Sequence, residues 1–239
     1  MCMGLKSGGK YMKKIGECYA DKDFWDRFNK DQSLIEYDPD AISKELYDDL
    51  KELYHVENMA SWNWEQKPLS PDSIGNMFNV EKYLNKEEQK KYLMLMNTIG
   101  GKIIFPKHRN SINQARGFYK KYTIGDRFDY TLECIRRYYF KDNSNNPLFH
   151  YLDNDRDFFN KFGKNEDGFN TYVEYFYLNK CLVVNGEIQF FLGEKSENIY
   201  FNKCAIPGDE NTWFKLYNKT MEFVAKRNKV IKKQLYGEL

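Results

Sequence analysis

The segment at residues 126–140, DRFDYTLECIRRYYF, constrains this chain more than any other, because it can gather its apolar residues on one face only as a helix. Phe128, Leu132, Ile135 and Tyr139 recur at i, i+4, i+7 and i+11, the spacing of a buried helical stripe. Asp126 stands where an N-cap carboxylate would accept the first free backbone N–H groups. Two polar edges flank the stripe. One carries Arg127, Thr131, Cys134 and Tyr138, and the other carries Asp126, Tyr130, Glu133 and Arg137.

Other elements follow from similar signals. Asp38, with Pro39 in the first turn, is expected to open a helix whose inner face is Ile42, Leu46, Leu50 and Leu53. Asn85 followed by Glu88 matches a capping box for a helix running to about Met96. Residues 97–106 read as a turn entering a short strand that stops at Pro106, and Asn110 or Ser111 opens a brief helical turn. Asn146 ahead of Pro147 is expected to cap a helix with Leu148, Tyr151 and Leu152, followed by Phe158, Phe159 and Phe162. Residues 169–178 predict a buried helix. Asn185-Gly186 between two apolar arms suits a type I′ hairpin, although the first arm also reads as a helix tail. A long helix at about 211–235 closes the chain, with Trp213, Leu216, Thr220, Phe223, Val224, Val230 and Ile231 inward and Lys226, Arg227, Lys229, Lys232 and Lys233 crowding its last turns.

These elements predict a mostly helical α+β fold with a small sheet or hairpin. One domain over 1–239 is expected, a helical part at 1–90 leaning on a core at 91–239. The break at 66–72 marks the alternative split. The 19 Tyr and 18 Phe allow the core to be built from rings. With 37 basic and 35 acidic residues the net charge is +2, a balance that makes no general demand for nucleic acid. Five widely spaced cysteines without a C-x-x-C pair fit a reduced, cytoplasmic chain, and three unpaired histidines offer no zinc pattern. No apolar run approaches the roughly 20 residues of a bilayer span, so no membrane is expected.

Chemistry concentrates between residues 97 and 137. Arg127 and Thr131, one turn apart, are spaced to grip an anionic oxygen, with Arg116 as a second guanidinium. The turn of Asn97, Thr98, Gly100 and Gly101 would let a backbone approach a ligand closely. Asp129 and Glu133 are then the candidate catalytic carboxylates, as general base or ribose contact. The competing reading makes the same residues caps and ion pairs, with Glu133–Arg137 a surface pair. No phosphate-loop glycine pattern occurs, and Cys134 has no histidine nearby in sequence to activate it. Trp62 and Trp64 alternate as a stacking platform or fill a core. Lys107, His108, Arg109, Lys120 and Lys121 either meet a phosphodiester backbone or form solvated surface.

The blocks NTIGG at 97–101 with FP at 105–106, INQARG at 112–117 and DRFDYTLECIRRYY at 126–139 resemble an uncharacterised bacterial family built on a domain of unknown function. The likeness spans roughly residues 90–235 and implies no catalytic role or cofactor. Two functions stay open. One is a cleft that binds or acts on a phosphate-bearing, nucleotide-like molecule (a mononucleotide, NAD or a nucleic-acid end). The other is a non-catalytic protein-interaction component of a bacterial defence or toxin–antitoxin system.

Overall fold

The computed structural model describes residues 15–30, 43–55, 69–75, 80–106, 120, 123–199, 201 and 205–237, and gives backbone alone for Ser70. The expectations placed on Asp38, Pro39, Ile42, Trp62, Trp64, Lys107, His108, Arg109, Asn110, Ser111, Arg116 and Lys121 fall outside these residues. The elements are α1 (Lys22–Lys30), α2 (Lys44–Leu53), β1 (Leu69–Ser73), α3 (Val80–Tyr83), α4 (Lys86–Met96), β2 (Lys102–Pro106), α5 (Phe128–Tyr139), α6 (Phe149–Asn154), α7 (Arg156–Phe159), α8 (Asn165–Tyr175), β3 (Val183–Val184), β4 (Glu187–Ile188) and α9 (Glu210–Tyr236). Helix dominates, and the described residues hold two small antiparallel sheets. The α+β reading stands.

Local chemistry explains most of the boundaries. Asn85 accepts from Glu87 N and Glu88 N while the Glu88 carboxylate accepts from Asn85 N, so α4 starts on a complete capping box. Asn185 and Gly186 both have positive φ, 53° and 81°, as a type I′ turn requires, and they join β3 to β4. That settles the first arm as a strand, although each arm pairs only two residues. β1 and β2 pair from Leu69 with Pro106 to Ser73 with Lys102. Every residue of β2 is buried, and Phe105 packs on the rings of Phe158 and Phe159.

Several boundaries correct the sequence reading. Ser43 caps α2 through the Leu46 N–H. Asp126 is not the cap of α5: it follows Gly125 with a second positive φ, 50°, its N–H bonds Lys120 O, and its carboxylate pairs with Lys120 at 3.2 Å. Lys120 is correspondingly buried, held also by Asp72 at 3.0 Å, and so is not a solvated contact for a polyanion. Asn146 acts beside its helix rather than as its N-cap, accepting from Leu148 N and donating to Cys134 O at 2.9 Å.

α5 lies at the centre of the core. The expected stripe of Phe128, Leu132, Ile135 and Tyr139 is buried, but so are Asp129, Tyr130, Thr131, Glu133, Cys134 and Arg137. The Glu133–Arg137 pair is therefore interior, not a surface pair. Phe128 stacks on Phe223 of α9 with ring centres 6.0 Å apart, and the Tyr139 hydroxyl bonds Phe159 O at 2.6 Å. Around α8, Phe162 packs edge to face with Tyr172 and both are tilted against Phe176, a core made of rings.

α9 contributes one unexpected residue to that core. Arg227, which its neighbours assign to a basic surface, is fully buried. Its Nε donates to Phe176 O, its Nη1 to Gly100 O and Lys102 O, and its Nη2 to the Tyr54 hydroxyl.

Candidate functional site

The residues proposed from sequence separate into two sets with different neighbours. The turn after α4 is packed on α9. Asn97 donates to Leu93 O, Thr98 accepts from Asn228 Nδ2 at 2.9 Å, and Gly100 N bonds Asn228 Oδ1 at 2.7 Å. A Cβ on Gly100 would sit 2.6 Å from the Asn228 side chain, and one on Gly101 would sit 2.5 Å from Met96 O. The close approach these glycines permit is thus between helices. Arg116 lies outside the described residues.

The α5 residues face the segment at 189–199 instead. Asp129 accepts Nε and Nη2 of Arg127 at 3.2 and 2.6 Å, and also the Phe191 N–H at 2.9 Å. Arg127 Nη1 reaches Glu194 at 2.7 Å, and its guanidinium lies 4.0 Å from the Tyr130 ring centre. Both members of the Arg127–Asp129 pair have fully buried side chains. Thr131 turns its hydroxyl back onto Arg127 O, within its own helix. One turn on, Glu133 accepts from Arg136 Nε and Nη2, Arg137 Nε and the Ser196 hydroxyl, all within 2.9 Å. Arg137 also bonds Ser196 O. Two carboxylates on one helix, four residues apart, therefore clamp the 191–196 segment against it.

That clamp forms one wall of a cleft of about 870 Å³. Glu133, Arg136 and Arg137 form its floor, and the hairpin turn and the residues from Gly193 to Ile199 close it. Five carboxylates (Glu133, Asp142, Glu187, Glu194, Glu197) and three cations (Arg136, Arg137, Lys195) line it. Glu133 and Glu194 are committed to arginines of α5. Glu187, Glu197 and Lys195 are exposed and carry no ion pair among the described residues. Among the described residues Asp142 accepts the Ser144 hydroxyl at 2.7 Å, and its charge acts on Arg136. Of the described residues proposed from sequence for the site, only Glu133 lines the cleft. Glu194 and Ser196 were not singled out, because their partners lie some 60 positions away and no local pattern announces them.

Glu194 gives the clamp a pH dependence. Burial pushes its carboxyl up, but the hydrogen bond and charge of Arg127, aided by the Tyr130 hydroxyl, outweigh this and hold it below the usual range. A carboxylate depressed in the folded state adds stability that is present above its unfolded value of about 4.3, and that is lost as pH falls through the folded value. The melting temperature is expected to fall on acidification below about pH 4.5, and Glu194→Gln to fall less over the same interval. Equal slopes for the two proteins would remove Glu194 from this account.

Among the described residues no group of three His, Cys, Asp or Glu side chains is assembled to hold a metal ion, and no helix is long and apolar enough to cross a membrane. The model of a family of unknown function, DUF6994, matches residues 49–231. It therefore takes in the second half of α2 and all of β1, which lie ahead of the blocks that carried the resemblance. Neither a curated protein nor a solved structure matches the chain.

Proposed function

The chain belongs to the DUF6994 family of unknown function, and from the geometry of its cleft we propose that it is a non-catalytic binding protein that takes a basic segment of a protein partner. The observation that carries this reading is how the charges are spent. Arg127, Arg136 and Arg137 are engaged by Asp129, Glu133 and Glu194 and the charge of Asp142 acts on Arg136, whereas Glu187 and Glu197 line the cleft with no ion pair among the described residues. The uncommitted charge of the lining is then Glu187 and Glu197 against Lys195, an excess that favours lysine or arginine side chains in the occupant. Both oxygens of Asp129 and of Glu133 already accept hydrogen bonds from charged or backbone donors, an arrangement suited to fixing a segment rather than to moving a proton.

A second reading rests on one observation. Nη1 of Arg136 and Nη1 of Arg137 make no hydrogen bond among the described residues, and both arginines line the same cleft as Lys195. Three such donors suit a phosphate-bearing, nucleotide-like ligand.

Calorimetric titration separates the two. A short lysine- and arginine-rich peptide is expected to bind, more weakly at high salt, and roughly tenfold more weakly to the Glu187→Gln/Glu197→Gln variant. Binding or thermal stabilisation by ATP or NAD, with no response to the peptide, would transfer the cleft to the second reading. Peptide binding indifferent to the double substitution would place the basic segment elsewhere.

A further inference from the structure

The longest helix exposes a second charged feature. Lys215, Lys219, Glu222, Lys226, Lys229 and Lys233 follow one another at intervals of four and three residues and are all exposed. At 100° and 1.5 Å per residue they fall within an arc of about 80° and run for about 27 Å along α9. Lys219 pairs with Glu222 at 2.6 Å, whereas Lys215, Lys226 and Lys229 have no carboxylate partner among the described residues.

This row does not stand over a flat surface. Between it and the 189–193 segment runs a groove of about 390 Å³, lined by Leu182, Phe190, Phe191, Leu192 and Phe223 with the exposed Lys215, Lys219, Glu222 and Lys226, Glu222 being paired with Lys219. The groove shares Gln189, Phe190 and Gly193 with the acidic cleft, so one segment separates two sites of opposite charge.

We propose that this groove docks an acidic, amphipathic segment of a protein partner, with an apolar side chain entering between Leu192 and Phe223 and carboxylates meeting the lysine row. Charge complementarity fixes the sign of the partner, and the apolar lining demands more than charge. A single-stranded nucleic acid needs open ring faces on which to stack. Here Phe223 is stacked on Phe128 and tilted against Phe191, Phe190 is packed against Tyr130, and all three lining rings are buried, which leaves little open face for a base. The inference is independent of what occupies the acidic cleft.

Fluorescence anisotropy with three labelled probes tests it: a short peptide of Leu-Glu-Glu repeats, an oligoglutamate and an oligothymidine. The amphipathic peptide is expected to bind, and the other two at least roughly tenfold more weakly. Lys215→Glu/Lys226→Glu, two exposed positions, should weaken the peptide by more than about tenfold with the melting temperature unchanged. Leu192→Ala should weaken it as well, and Glu187→Gln/Glu197→Gln should leave it alone. Absence of peptide binding, equal binding of the oligoglutamate or oligothymidine, or indifference to the lysine reversals would each overturn the proposal.

Discussion

Arg227→Met is expected to destabilise the protein by about 4 kcal/mol, although the substitution removes no ion pair and preserves an unbranched chain. The guanidinium is a buried cation neutralised by dipoles. It bonds the carbonyls of Phe176, Gly100 and Lys102 and the hydroxyl of Tyr54, and no carboxylate among the described residues contacts it. Phe176 caps the C-terminus of α8, where the helix dipole is negative and the carbonyls lack partners of their own. One side chain therefore joins α2, the turn before β2, α8 and α9. Its loss strands several buried acceptors at once, each costing about 1–3 kcal/mol when left without a donor. Arg227→Lys is expected to recover only part of this, since a single ammonium cannot fork onto carbonyls from three elements. Lys232→Met, on the exposed side of the same helix, should stay within about 0.5 kcal/mol. Urea denaturation of the three variants decides the matter. A loss below about 1 kcal/mol for Arg227→Met would mean that water or a rearranged neighbour replaces the guanidinium.

Arg227 also shows where the sequence stops being legible. The signals that read correctly are those completed within a few residues: the Asn85–Glu88 capping box, the Asn185-Gly186 turn, the stripe from Phe128 to Tyr139. Each depends on a spacing that the backbone itself enforces. Arg227 lies between Lys226 and Lys229 and resembles them, because its partners at Gly100 and Lys102 are more than 120 positions away and are backbone atoms, which no residue pattern encodes. Asp126 misleads for a related reason. It has the composition of an N-cap, but Gly125 and Asp126 both take the left-handed conformation, and its carboxylate turns to Lys120 instead. The polar edges of α5 were recognised as unusual for packing alone. The neighbour that explains them, the 189–199 segment, follows the hairpin and carries its partners in Glu194, Ser196 and a backbone N–H. Density of polar residues brought out Glu133, which lines the cleft, together with Arg127 and Asp129, which hold its wall. It did not distinguish residues that line the cleft from residues that hold its wall.

That distinction yields the second large effect. Asp129→Ala is expected to cost about 3–5 kcal/mol and to lower the melting temperature on the order of 10 °C, because it strips a fully buried arginine of its bidentate partner. The Phe191 N–H loses its acceptor in the same step, so the 191–196 wall loosens with it. If Arg127 instead served to grip a ligand, its removal would leave the fold intact and abolish only a binding response. The structure argues the other way, since the Arg127 side chain has no exposed surface and its donors are divided between Asp129 and Glu194. Arg127→Met is accordingly expected to destabilise as well, by leaving Asp129 buried without its cation. The double variant Arg127→Met/Asp129→Leu removes both charges and replaces them with apolar groups, which are often as stable in an interior as the pair they replace. It should therefore be less destabilised than Asp129→Leu alone, with a coupling energy of about 2 kcal/mol or more across the cycle of Arg127→Met, Asp129→Leu and the double variant. Additive losses in the double variant would mean that the two residues act separately. A full-strength melting temperature for Arg127→Met would return that arginine to the role of a ligand contact.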